Sequence, residues 1–187
     1  MQQILTETII IYIRYRTTVL LSLMTTPPTD QGPPRDGGVA FLLAQLGAHA
    51  AAAFAERIRP LQLTPPQAGI LRRIAQFPGQ SQREVADALG MHAPRLVTLI
   101  DELEDRGLVA RDRDPGDRRN YAISLTDEGR QLFTELGRVA GQHEHAITAA
   151  LDDNERAQLL ALLRRLAEEQ NLRPGVHPGF RRLGRRA

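Results

Sequence analysis

Arg118 and Arg119 stand side by side directly after Pro115-Gly116-Asp117, between two short stretches that alternate apolar and polar residues. A guanidinium is a planar fork of donors that matches phosphate oxygens and base edges, so the pair carries the chemistry of polyanion recognition. Pro-Gly-Asp is turn chemistry, and the carboxylate of Asp117 can cap the turn or hold one arginine while the other is presented. Arg95, Arg111 and Arg113 lie close by in sequence, and Thr98 adds a hydroxyl that can donate or accept. His143-Glu144-His145 invites a metal, but residues i and i+2 of a helix point about 200° apart and cannot converge on one ion. No Gly-rich phosphate loop, convergent carboxylate pair or nucleophile–base set stands out, so neither catalysis nor a cofactor is expected.

Composition narrows the classes. Of 187 residues, 42% are hydrophobic and 25% charged, as in a globular fold. Cysteine is absent, which removes disulfides, thiolate metal sites and thiol redox sensing. All 24 basic residues are arginine, at a net charge of +2. Residues 1–23 are rich in Ile and Thr, unlike the rest of the chain. Glu7, Arg14 and Arg16 break the apolar run, so no membrane span is expected there. Residues 25–38 are a polar Pro/Gly linker. Residues 1–38 are therefore expected to be a non-native or disordered extension with Met24 as initiator, or else an amphipathic arm. Nothing argues for secretion, and a cytoplasmic location is expected.

The elements that must position the arginines follow from periodicity. Leu42, Leu43, Leu46, Ala50, Ala53, Phe54 and Ile58 recur at helical spacing, predicting a helix within 39–63. Thr64 caps a second helix with Pro65 at its first position, buried through Ile70, Leu71 and Ile74. Ser81-Gln82-Arg83-Glu84 is a capping box opening a short helix that Gly90 ends. Pro94 opens a further helix with Leu96, Leu99, Ile100 and Leu103 inward, closed by Gly107. Leu108–Arg113 and Asn120–Leu125 read as strands, with Tyr121, Ile123 and Leu125 on a buried face. Thr126 caps a long helix striped by Leu132, Phe133, Leu136 and Val139. Asp152 and Glu155 start the last helix, with Leu159, Leu162, Leu163 and Leu166 on one face.

Residues 64–125 thus read helix, helix-turn-helix, β-hairpin: a mainly α fold with a small β wing, a winged helix-turn-helix. In such a unit the second helix enters the major groove by its N-terminal residues. That assigns His92, Ala93, Pro94, Arg95 and Thr98, with Val97 beside them, to double-stranded DNA. Asp101, Glu102, Glu104 and Asp105 make the far end acidic and should point away. Arg111, Arg113, Asp117, Arg118 and Arg119 then belong to a wing over the backbone, with Arg119 the candidate for the minor groove.

Leu103-Glu104-Asp105-Arg106-Gly107-Leu108-Val109, then Asp117-Arg118-Arg119, then Leu125-Thr126-Asp127-Glu128-Gly129 carry a resemblance to the MarR family of bacterial transcriptional regulators, over roughly residues 39–170. The resemblance implies a homodimer with interleaved dimerisation helices, from 39–63 and from 126–170 of each chain. It further implies repression, less often activation, of nearby genes, relieved by a small anionic or phenolic effector, and importance of the wing Asp and Arg for DNA binding. The start of the recognition helix departs from the Ser/Thr-rich pattern of many members. Gln45, His49, Phe54 and Arg57 are candidates to line an effector crevice. A pseudo-palindromic operator is expected, its half-sites about 10 bp apart. Residues 171–187 are expected to be a loose basic tail. A winged helix used for protein contact, or a DNA-binding protein without effector, remains the alternative; a His-based metalloenzyme is the remote one.

Overall fold

A computed structural model of the chain describes residues 37–113 and 121–177. The chain divides into two compact units, Met1–Gln45 and Leu46–Ala187. In the first, helix α1 (Val39–Ile58) begins, with Val39, Phe41, Leu42 and Leu43 exposed. The second holds the remainder of α1, of which only Ile58 is buried.

Local chemistry starts each element of the second unit. Thr64 and Gln67 form a reciprocal capping box, with the Thr64 N–H donating to Gln67 Oε1 at 2.9 Å, and open α2 (Pro65–Gln76). Ser81 and Glu84 do the same for α3 (Gln82–Leu89), and Gly90 ends it at φ +61°, a conformation that costs glycine nothing. Helix α4 (Ala93–Asp105) follows after three residues. The strands β2 (Val109–Arg113) and β3 (Tyr121–Leu125) pair antiparallel, with Val109 opposite Leu125 and Arg113 opposite Tyr121. Helices α5 (Asp127–Ile147) and α6 (Asp153–Glu169) complete the unit; Asp152 and Glu155 make the third capping box.

A strand not expected from the sequence, β1 (Gln80–Ser81), pairs with β3, giving a three-stranded sheet in the order β1-β3-β2. It ties the start of α3 to the wing. The core forms where the sheet meets the helix-turn-helix: Ile70, Leu71, Ile74, Val85, Leu96, Ile100, Leu103, Val109 and Ile123 are fully buried. The helical phase predicted for α2 and α4 is the phase observed.

Two expectations need correction. Tyr121 is 46% exposed instead of buried. It pairs with Arg113 at the outer end of the ladder, and the inward alternation of β3 takes hold only at Ile123 and Leu125. Residues 171–177, expected to be loose, are mostly exposed but touch the winged domain at two points. Val176 packs against it, and Arg173 donates from Nη1 to the Asp87 carbonyl. The remaining tail, 178–187, and the extension 1–36 lie outside the described residues.

Thr126 is the junction between wing, recognition helix and α5. Its Oγ1 accepts from the Gly129 N–H at 2.9 Å and donates to the Gly107 carbonyl at 2.6 Å, while its N–H donates to the Leu108 carbonyl at 3.2 Å. The turn leaving α4 and the turn entering α5 are thereby stitched together.

Candidate nucleic-acid interface

The outward residues at the start of α4 come from helix phase. Leu96, Leu99, Ile100 and Leu103 face inward, which leaves His92, Ala93, Pro94, Arg95, Val97 and Thr98 exposed. His92 is the N-cap residue, yet its side chain makes no capping bond, and Pro94 occupies the first turn. Pro94 has no N–H and the Arg95 N–H donates to the His92 carbonyl at 3.0 Å, so within the first turn it is the Ala93 N–H that no side chain caps. Thr98 donates its hydroxyl hydrogen to the Pro94 carbonyl at 3.2 Å. It is left to meet an external partner as an acceptor, a narrower role than the sequence suggested.

The acidic far end of α4 is largely compensated from within. Arg111 on β2 pairs through its guanidinium with both Asp101 and Glu104, and its side chain is only 21% exposed. With its amide oxygen turned inward, Gln82 at the start of α3 accepts from the Arg111 Nε at 2.9 Å. Glu102 accepts from Gln67 Nε2 at 2.8 Å. Arg111, expected to face DNA, thus has its guanidinium turned onto the recognition helix, where one side chain joins α3, α4 and the wing. Sequence spacing could not show this, because its partners lie on other elements.

Arg111→Ala should weaken operator binding at least tenfold in a fluorescence-anisotropy titration, since the uncompensated charges of Asp101 and Glu104 would add to the negative field that DNA meets on approaching α4, and the wing would lose its tie to that helix. The cost in unfolding free energy should be only about 1 kcal/mol, because the carboxylates are half exposed. Undiminished affinity would show that the pairing has no part in recognition.

Arg113 belongs to β2 by its backbone pairing. Asp117, Arg118 and Arg119, the tip of the wing, lie outside the described residues.

A second feature lies away from this surface. A cavity of about 560 Å³ is walled mainly by Ala51, Phe54, Pro65, Phe133 and Leu136, with Arg72 and His177 among its polar groups. Of the four effector candidates only Phe54 lines it. His49 and Arg57 are exposed on α1, and Gln45 is exposed within the first unit. Phe54 meets the His143 ring at a centroid distance of 5.4 Å, and His143 Nδ1 is buried with no partner among the described residues. Burial pushes the His143 imidazole below its ordinary pKa, and the charges of Arg57 and His49 add to this while Glu144 opposes it. Arg72 and Phe133 were missed as lining residues, because only the packing of α1, α2 and α5 brings them together.

A helix-turn-helix whose second helix keeps a solvent-facing N-terminal half, braced by a strand-paired wing, defines a winged helix-turn-helix protein of the DNA-binding class. The model of the MarR family matches residues 61–120. A Thauera aromatica protein assigned to transcriptional regulation of the hcr operon is 34% identical over 112 residues, which span 60% of this chain and 68% of the relative. The chain belongs to the MarR family of transcriptional regulators. Among solved structures, the transcriptional repressor CouR bound to a 23-mer DNA duplex is 34% identical with a TM-score of 0.63, covering 70% of this chain and 92% of that one. Wild-type MarR from E. coli in its apo form shares the fold at 24% identity and a TM-score of 0.63, covering 69% of this chain and 96% of that one.

Proposed function

We propose that the protein is a homodimeric repressor in the cytoplasm that binds a pseudo-palindromic operator and is released by a small anionic or phenolic effector. The observation that carries this reading is the start of α4, where Arg95, Val97 and Thr98 are exposed while the carboxylates behind them are held by Arg111 and Gln67. Such a helix enters the major groove by its N-terminal half, with the wing over the backbone and its arginines at the adjacent minor groove. CouR, whose structure was solved on duplex DNA, supports the same partner.

Dimerisation is supported by uncovered apolar faces. No residue of α6 is buried, and Leu159, Leu160, Leu162, Leu163 and Leu166 are all exposed. The stretch Val39–Leu61 is long and apolar enough to cross a membrane. We assign it to a dimer interface, because α6 presents a leucine surface of the same character. The effector reading rests on the cavity beside Phe54, whose apolar walls suit an aromatic body and whose Arg72 suits a carboxylate or phenolate.

The test is binding to the DNA upstream of the protein's own gene, titrated against salt. Affinity should fall steeply between about 50 and 200 mM salt, as several phosphate contacts release counterions. Arg119→Ala should weaken binding about tenfold or more while the melting temperature barely moves. Affinity equal to that for random duplex, or indifferent to salt, would refute operator binding. An unaltered Arg119→Ala variant would reduce the wing tip to a solvated turn.

A further inference from the structure

We infer that Val97 reads the methyl group of a thymine in the operator. The start of α3, the start of α4 and the outer end of β3 enclose a notch of about 570 Å³. Its walls include Met91, Ala93, Val97 and Tyr121, and Arg83 also lines it. Val97 is 38% exposed, although its neighbour Leu96 is fully buried. Ala93 lies one helical turn before it on the same face, so the two make an apolar stripe beside the polar residues Arg95 and Thr98.

That stripe has a specific counterpart. Base pairs present hydrogen-bonding groups to the major groove, and thymine alone adds a methyl. An isopropyl group pressed against a polar base edge would strip water from donors or acceptors and give nothing back. Against a thymine methyl, both surfaces leave water together. Cytosine at the same place offers an amine donor and no methyl, so Val97 discriminates between the two pyrimidines without any hydrogen bond. The exposed ring of Tyr121 forms another wall and limits where the methyl can sit, and Arg83 supplies a cation for the phosphate beside it. The assignment rests on entry of α4 into the major groove, the reading given under the proposed function.

The test begins with an operator selected by the full-length protein from a random duplex pool. Each thymine is then replaced by deoxyuridine, which removes the methyl and nothing else. One position in each half-site should lose about fourfold in affinity, the effect of burying one such group. In Val97→Ala the unmodified operator should bind more weakly by a similar factor, and the uracil at that position should then cost nothing further. Sensitivity at no thymine would overturn the assignment while leaving operator binding intact. An unchanged uracil penalty in Val97→Ala would overturn it too, because another residue would then be reading the methyl. Recovery of no preferred sequence from the pool would instead refute operator binding, and the assignment with it.

Discussion

Gly129→Ala should destabilise the protein by about 2–3 kcal/mol, although alanine is the better helix former. Gly129 lies in the first turn of α5, and an added Cβ would sit 1.9 Å from the Leu108 carbonyl oxygen and 2.9 Å from its carbon. The obstacle is backbone, so no rotamer change relieves it. That same carbonyl accepts from the Thr126 N–H, and Thr126 Oγ1 bridges Gly107 to Gly129. Making room for one methyl therefore means parting the turn after the recognition helix from the start of α5. The melting temperature should fall by roughly 5–10 °C, and operator affinity should fall with it as α4 loses its fixed exit. Gly137 and Gly141 on the same helix provide the contrast, because a Cβ there meets nothing within 4 Å. Alanine at either should leave the protein as stable or raise its stability by up to about 1 kcal/mol. A Gly129→Ala protein as stable as wild type would show that the stitch at Thr126 does not constrain the fold.

Local signals were the most legible part of the fold. The cap at Thr64 and the reciprocal pairs Ser81–Glu84 and Asp152–Glu155 need only residues a turn apart, and each is observed, Thr64 with the added return bond from Gln67. The inward phase of α4 follows from four apolar positions, and with it the exposure of Pro94, Arg95 and Thr98. What the sequence hid depends on partners far along the chain. The two residues of β1 pair through backbone alone, a contact that leaves no side-chain pattern to read. Arg111 looked like one more wing cation, because the carboxylates that hold it sit on a neighbouring helix. The cavity beside Phe54 draws on α1, α2, α5 and the segment after α6, and no spacing rule joins those stretches. Tyr121 kept the alternation of its strand, but alternation gives a face and not how far the core extends beneath it.

Leu162→Glu should convert the proposed dimer into monomers and weaken operator binding at least a hundredfold. Helix α6 begins at a satisfied capping box and carries leucines through its length, yet none of its residues is buried; Leu162 is 53% exposed. In folded proteins most of a helix's stability comes from packing its apolar face, and that of α6 has no cover within the chain. Covering that face with a second copy would bury half or more of each leucine, worth about 1 kcal/mol apiece. A glutamate there would have to lose its hydration with no counter-charge prescribed, which costs more than any single leucine contributes. The isolated chain should tolerate the change, because position 162 is exposed within it and glutamate is a good helix former. The effect on DNA would follow from geometry. Each protomer supplies one recognition helix, and linking two weak half-site contacts multiplies affinity by about 10²–10⁴. Sedimentation velocity at micromolar concentration should show half the wild-type mass with unchanged far-UV helicity in the winged domain, and operator titration should show the loss. A Leu162→Glu protein that stays dimeric would place the interface elsewhere. One that becomes monomeric but binds as tightly as before would mean that each protomer reads its DNA alone.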